Sequence, residues 1–333
     1  MLMGQEMHRV VVRSFGPPSV LQVETWEQAD IQARPDQVVV RIRAFGINPV
    51  ETYVRNGLYD PLPSLPYTPG TDAAGVVESI GPLVAQSNLH VGQRVWLTGA
   101  VSGTYTSHAV CNAADVHILP ETVSFEAGAA LGIPYRTAYR ALALIGQAKR
   151  GESVLIHGAT GGVGIAAIQI AKMMGLGPII ASTSSSDPEV IQLLSVNGAD
   201  AVVKHGQFEE KVDVILENLA NVNLAKDLKL LKKNGRVIIV GNRGEVTINP
   251  RDLMRCEGSI RGLVGPGSIE DKMVIDAAIQ DGLETGQIRP VVGVTFEPSQ
   301  TALAHEEMMS HSLGTRGKIV VLVPYSVSRR LVL

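Results

Sequence analysis

Cysteine is scarce. Two of the 333 residues, Cys111 and Cys256, are cysteines. They cannot build a disulfide framework, and this usage fits a reducing compartment. Charged residues make up 18% against 45% hydrophobic, which supplies a large core and argues against global disorder. The net charge is -3 and no basic run stands out, so a dedicated nucleic-acid or membrane-surface role has no electrostatic support. No uncharged stretch reaches the ~18 residues of a membrane span. Residues 1–10 hold no apolar core of a secretory signal, and Arg329-Arg330-Leu331-Val332-Leu333 is not a peroxisomal tripeptide. The expectation is a cytoplasmic protein of about two domains.

What is there begins with short β-branched runs at 10–13, 21–24, 37–44, 76–80, 94–97, 105–110 and 117–119, separated by proline and glycine. Many short strands between turn signals predict a barrel-like β domain, with a short helix over 48–56. The period changes at 125–146, an alanine- and leucine-rich stretch of one or two helices. From Gly151 strands and helices alternate: strands at 153–157, 178–182, 201–203, 212–216, 236–241 and 259–264, helices at 162–174, 188–196, 224–233 and 269–282. That order predicts a doubly wound parallel sheet. The strand at 318–323 has no partner in that sheet and is expected to return to the first domain. The domains expected are thus 1–124 with 290–333, and 125–289.

One connection is unusually short. Residues 204–211 separate the third and fourth strands of the second domain. In a 3-2-1-4-5-6 sheet this crossover spans roughly 14 Å sideways and must return roughly 17 Å along the strand. Eight extended residues reach ~29 Å and eight helical ones only ~12 Å. An extended crossover with at most one helical turn is expected.

The most informative stretch is Val154-Leu155-Ile156-His157-Gly158 followed by Ala159-Thr160-Gly161-Gly162-Val163-Gly164. An apolar strand runs into a glycine cluster that opens a helix, which is where a dinucleotide pyrophosphate rests on helix N-terminal amides. Gly161 lets backbone approach phosphate and Gly164 lets the helix pack on the strand; a tight turn without a ligand is the alternative. An acidic residue at the end of the second strand would bond the adenosine ribose and repel a 2'-phosphate. Ser182-Thr183-Ser184-Ser185-Ser186 stands there instead, and Asp187-Pro188 reads as helix cap and first helical residue. NADPH is therefore favoured over NADH, although the loop holds no arginine or lysine. Lys204 and His205 can approach the adenosine from the side.

Metal ligands are missing where zinc alcohol dehydrogenases of the same two-domain plan would carry them. The early turn, Ala44-Phe45-Gly46-Ile47-Asn48-Pro49-Val50-Glu51, has no cysteine, and Pro69-Gly70-Thr71-Asp72-Ala73-Ala74-Gly75 has no histidine. His305-Glu306-Glu307-Met308-Met309 is not H-E-x-x-H and fits an amphipathic helix. His157, closing a strand, reads as a packed residue. No zinc site is expected.

Several segments together resemble the zinc-free NADPH:quinone oxidoreductase (zeta-crystallin) family of the medium-chain dehydrogenase/reductase superfamily, over nearly the whole chain. They are Gly46-Ile47-Asn48-Pro49-Val50-Glu51-Thr52-Tyr53, Leu65-Pro66-Tyr67-Thr68-Pro69-Gly70, Gly132-Ile133-Pro134-Tyr135, Thr137-Ala138-Tyr139-Arg140-Ala141-Leu142, the glycine cluster, Leu219-Ala220-Asn221-Val222-Asn223-Leu224 and Ile248-Asn249-Pro250-Arg251-Asp252. The resemblance implies a Rossmann sheet with a GroES-like β domain. It further implies Tyr53 and Thr137 as cofactor contacts and Thr160, Gly161, Gly162 and Val163 as the pyrophosphate cradle. Ser184 and His205 should lie by the adenosine phosphate. Asn223, Val240, Gly241, Asn242 and Arg243 should line the groove, and Leu263, Val264 and Gly265 the nicotinamide side. The segment after His205 is shorter than in the family, and the loop after the second strand is longer and richer in serine.

Without a metal, hydrogen-bond donors must stabilise the charge that develops on the acceptor oxygen. Tyr53 and Asn48 are the candidate catalytic residues, with Tyr59 a weaker one; Asn48 reads equally as a turn residue before Pro49. The reading is an NADPH-dependent reductase of quinones, ortho-quinones favoured, by hydride or by single-electron steps. An enone or alkenal double-bond reductase and a non-enzymatic crystallin or AU-rich-RNA-binding role are the alternatives. A homo-oligomer, dimer or tetramer, is expected through the edge strand 259–264 opened by Ser259.

Overall fold

The computed structural model describes residues 7–27, 31, 33–84 and 88–324, so the targeting readings at residues 1–6 and 325–333 fall outside the described residues. The β-branched runs of the first part become β1 (Met7–Val12), β2 (Leu21–Trp26), β3 (Gln37–Ile47), β4 (Ala73–Ile80), β5 (Arg94–Leu97), β6 (His108–Asn112) and β7 (Val116–Ile118). Helices α1 (Pro49–Arg55) and α2 (Phe125–Gly128) interrupt and follow them. The middle of the chain carries α3 (Gly132–Tyr139), a π-helical turn (Arg140–Ile145), β8 (Val154–Ile156), α4 (Gly162–Met173), β9 (Ile179–Thr183), α5 (Pro188–Asn197), β10 (Ala201–Lys204), β11 (Val212–Glu217) and α6 (Ala220–Asp227). It continues with β12 (Leu231–Ile239), α7 (Pro250–Cys256), β13 (Ser259–Gly262) and α8 (Ile269–Glu284), and the chain then adds β14 (Val292–Phe296), α9 (Thr301–Ser310) and β15 (Lys318–Leu322). Two compact units result, Met1–Ile133 with Val292–Leu333, and Pro134–Val291.

In the first unit β1 and β2 form a hairpin, and a seven-stranded sheet has the order β14-β15-β3-β4-β5-β7 with β6 on β3. The returning strand β15 pairs antiparallel with β3 and parallel with β14. β3 anchors the sheet because its length serves three neighbours, β15, β4 and β6. Val38, Val40, Ile42, Phe45 and Ile47 on it are essentially inaccessible and sit in the main core of this unit. Each such side chain contributes roughly 1.5–3 kcal/mol by leaving water.

In the second unit all six strands are parallel, in the order β10-β9-β8-β11-β12-β13. A parallel sheet puts the carboxyl ends of its strands on one edge, and the order reverses beside β8. Helix α5 shows the capping expected of Asp187-Pro188: the Asp187 carboxylate accepts from Glu189 N at 2.9 Å, and Gly198 ends the helix at φ 119°. The connection between β10 and β11, shortened to residues 205–211 because β10 runs to Lys204, contains a turn and no helix, as its short reach demands.

Two elements differ from expectation. The helix read at 224–233 ends at Asp227, tightens into a 3-10 turn, and gives way to β12 at Leu231. Leu224, Leu228 and Leu231, at i, i+4 and i+7, mimic a helical stripe, but Leu231 pairs with Val212. The strand read from Tyr105 begins only at His108, because Thr104 N and Tyr105 N both donate to Pro69 O and hold a tight turn.

Candidate functional site

The glycine cluster folds as its spacing requires. Strand β8 is wholly buried, and Gly158 turns the chain at φ 59°. A Cβ at Gly164 would lie 2.3 Å from Gly158 O, so only glycine lets α4 start this close to the turn. A Cβ at Gly161, the residue preceding α4, would meet only Gly158 O at 3.5 Å; that side of the turn is open. No side chain caps α4 at Gly161. The opening N–H groups of a helix have no intrahelical acceptors, and they attract an anion together with the helix dipole. An uncapped helix start with open space at Gly161 therefore fits a dinucleotide pyrophosphate. Thr160 is buried at this turn, and Gly162 and Val163 are half-buried.

The other expected coenzyme residues of this unit lie along the same sheet edge. Ser184 follows β9 and is exposed. His205 follows β10; its N–H donates to Thr183 O at 2.8 Å, and its ring Nδ1 lies 3.5 Å from Ser182 Oγ. The carboxylate of Asp187 is engaged at the start of α5. Val240, Gly241, Asn242 and Arg243 follow β12, and Leu263, Val264 and Gly265 follow β13. A Cβ at Gly241 would lie 2.3 Å from Asn218 O, so a side chain there would push these two connections apart. Val264 O and Gly265 O accept from Arg140 Nη1 at 3.1 and 3.2 Å. Thr137 is half-buried on α3. Asn223 is buried on α6, gives its amide to Glu217 Oε1 at 3.1 Å, and lines one cavity with His205.

In the first unit Asn48, Pro49 and Glu51 start α1 as a capping box, with Asn48 N donating to Glu51 Oε2 at 2.7 Å. Around them lies a buried network. Asn48 Nδ2 donates to Asp72 Oδ2 at 3.0 Å and to Glu51 Oε1 at 3.3 Å, and its Oδ1 accepts from Lys318 Nζ. Lys318 Nζ also donates to Asp72 Oδ2 at 2.8 Å, and Tyr105 Oη donates to Glu51 Oε2 at 2.6 Å. His305 Nε2 lies 3.1 Å from the same hydroxyl. Burial, reinforced by Asp72, pushes Glu51 up to about 7. Burial holds His305 down to about 3.

This network corrects the reading of Asn48 as a donor to substrate. Both amide hydrogens are committed to carboxylates, and the side chain is 2% exposed. Tyr53, one turn along α1 and half-buried, takes no part in the network. Glu51, Asp72, Tyr105, His305 and Lys318 escaped sequence reasoning as a group. Glu51 and Asp72 lie inside the two turns read for metal ligands, but nothing near Lys318 in sequence marks it as their cation.

Residues 34–121 match the family described as alcohol dehydrogenase GroES-like domain, and residues 162–280 the family described as zinc-binding dehydrogenase. A human quinone oxidoreductase is 43% identical over 97% of this chain and 100% of its own length. The crystal structures of a Pseudomonas syringae quinone oxidoreductase share 28% identity over 95% of this chain and 99% of that one, with a TM-score of 0.80. A mycobacterial protein complexed with NADPH shares 26% identity, with the same coverages and a TM-score of 0.81. No helix among the described residues is long and apolar enough to cross a membrane.

Proposed function

Because the chain belongs to the quinone oxidoreductase family of the medium-chain dehydrogenase/reductase superfamily, we propose that it reduces quinones at the expense of NADPH. The observation that carries the coenzyme half of this reading is the uncapped start of α4, open at Gly161 and closed to any side chain at Gly164. The amides of Gly162 and Val163 hold the pyrophosphate there, with Thr160 beside them. Ser184 and His205 receive the adenosine 2'-phosphate at a loop whose nearest carboxylate, Asp187, is turned to its own helix. Val240, Gly241, Asn242 and Arg243 line the groove, with Leu263, Val264 and Gly265 toward the nicotinamide and Thr137 as a further contact. Asn223 lines the groove beside His205 and is held there by Glu217.

NADPH held there would supply a hydride, and the quinone would take up one proton besides to become the hydroquinone. Charge develops on the acceptor oxygen, and a fixed donor near it lowers the barrier. Tyr53 is the proposed donor, and Asn48 holds α1 in place through Asp72 and Glu51. The acceptor class, with ortho-quinones favoured, rests on the family alone. Strand β13, at the edge of the sheet and partly accessible, supports a homo-oligomer built by strand pairing. RNA binding is a secondary possibility that the net charge does not support.

A steady-state comparison tests the reading. NADPH and NADH are offered with ortho-quinones and with 2-alkenals, in the presence of a chelator. NADPH oxidation by ortho-quinones that survives the chelator supports it. Turnover of 2-alkenals with none of quinones reassigns the chain to double-bond reduction.

A further inference from the structure

The loop after β9 holds no lysine or arginine, so a 2'-phosphate placed beside it finds no cation there. A phosphate monoester carries a charge of about −1.5 to −2 at pH 7. Serine hydroxyls donate hydrogen bonds to it but bring no positive charge. His205 holds no standing charge either. Burial, helped by His157 and by the Lys226 ammonium, lowers its pKa, and the ring is neutral at pH 7 before the coenzyme arrives. The cations must come from another element.

Helix α6 carries them. A cavity of about 190 Å³ is lined by Ser182 near the end of β9, by His205 after β10, and by Asn223, Lys226 and Lys229 on α6 and the turn that closes it. That is the volume of about six water molecules in the liquid, room for a phosphate group. The cavity follows from the short crossover. A right-handed connection from β10 to β11 runs over the face of the sheet that α6 covers, and a helix in it would fill the space beside α6. Here residues 205–211 contain a turn and no helix, and Phe208 forms the wall on that side.

Lys226 and Lys229 sit three residues apart, so they share one side of the helix and its closing turn. Helical side chains lean toward the N-terminus, and α6 starts at the carboxyl ends of the strands, the edge that holds Ser184 and His205. Both lysines are exposed, and neither has a hydrogen-bond or ion-pair partner among the described residues. The carboxylate that lines the same cavity, Asp227, is engaged by His157 Nε2 at 2.9 Å. We infer that Lys226 and Lys229 read the 2'-phosphate of NADPH from the α6 side of this cavity, together with His205. The inference rests on the coenzyme reading above and supplies its source of discrimination. The ribose of NADH has nothing there for the two ammoniums to meet, so this chain selects NADPH by attraction, not by a carboxylate that repels its rival.

Calorimetric titration of the full chain with adenosine 2',5'-bisphosphate and with 5'-AMP isolates the phosphate. The native chain should prefer the bisphosphate, and that preference should weaken as salt rises. Lys226→Met combined with Lys229→Met should cut the preference at least ~10-fold and flatten its salt dependence, with the unliganded melting temperature unchanged because both side chains are exposed. Lys226→Arg combined with Lys229→Arg should keep the preference. Lys233→Met, at the start of β12 and so at the opposite edge of the sheet, should keep it too, which separates a local contact from net charge. An unchanged preference in the double Met variant, or an equal loss in Lys233→Met, overturns the inference and leaves the coenzyme reading standing. A native chain that binds neither NADPH nor NADH defeats that reading, and this inference falls with it.

Discussion

Lys318 Nζ donates to Asp72 Oδ2 at 2.8 Å, with 3% and none of the two side chains exposed. The bond joins residues 246 apart in sequence and ties the returning strand β15 to the turn before β4. Removing one partner of a buried ion pair typically costs about 3–5 kcal/mol, because the other charge stays buried without relief. Lys318→Met is therefore expected to lower the free energy of unfolding, measured by urea titration of the full chain, by an amount in that range. A loss below about 1 kcal/mol would mean that the ammonium does not hold this network.

Glu51 makes the same network pH-dependent. Burial raises its folded pKa to about 7, above the unfolded value near 4.3. The folded state then binds more protons between these values, so this group's contribution to stability falls as pH rises from about 4.5 to about 7. Glu51→Gln keeps the neutral form throughout. Its stability relative to the native chain should improve by roughly 3 kcal/mol across that window. Urea unfolding at pH 5 and pH 8 measures this, and a difference that does not change with pH contradicts the shift.

Two glycines of the coenzyme turn should separate folding from binding. Gly161→Ala adds a methyl whose nearest neighbour is 3.5 Å away, so the fold should lose no more than about 1 kcal/mol. The methyl enters the space proposed for phosphate, and NADPH affinity should fall at least ~10-fold, about 1.4 kcal/mol. Gly164→Ala places its methyl 2.3 Å from Gly158 O and should depress the melting temperature as well. Melting curves and coenzyme fluorescence titrations on both variants check this.

Much of the dinucleotide unit was legible in the sequence. An apolar strand, a glycine turn and a helix are local patterns, and the chain length between β10 and β11 excluded a helix by reach alone. The misread helix at 224–233 shows the limit of periodicity, since leucines at helical spacing also serve a strand once Leu231 meets Val212. The networks were not legible. Asn48 and Glu51 show only the spacing of a helix cap, and nothing in sequence joins them to Asp72 and Lys318, because folding alone brings β15 to β3. His157 was read correctly as buried, but the two carboxylates beside it arrive from β11 and α6.

Coenzyme choice should turn on the loop after β9. Ser184 is exposed there, and Asp187 is held by Glu189 N. Ser184→Asp introduces a carboxylate that repels a 2'-phosphate and can accept from a ribose hydroxyl. The ratio of kcat/KM for NADPH over NADH should drop at least ~10-fold, a change of about 1.4 kcal/mol. An unchanged ratio would place 2'-phosphate recognition elsewhere.

Calorimetric titration of the purified full chain with NADPH, in chelator, tests the central claim most directly. The account expects one coenzyme per chain, affinity for NADPH above that for NADH, and loss of binding in Gly161→Ala with the fold intact. No heat of binding from either coenzyme, or equal binding by the Gly161→Ala variant, would contradict it.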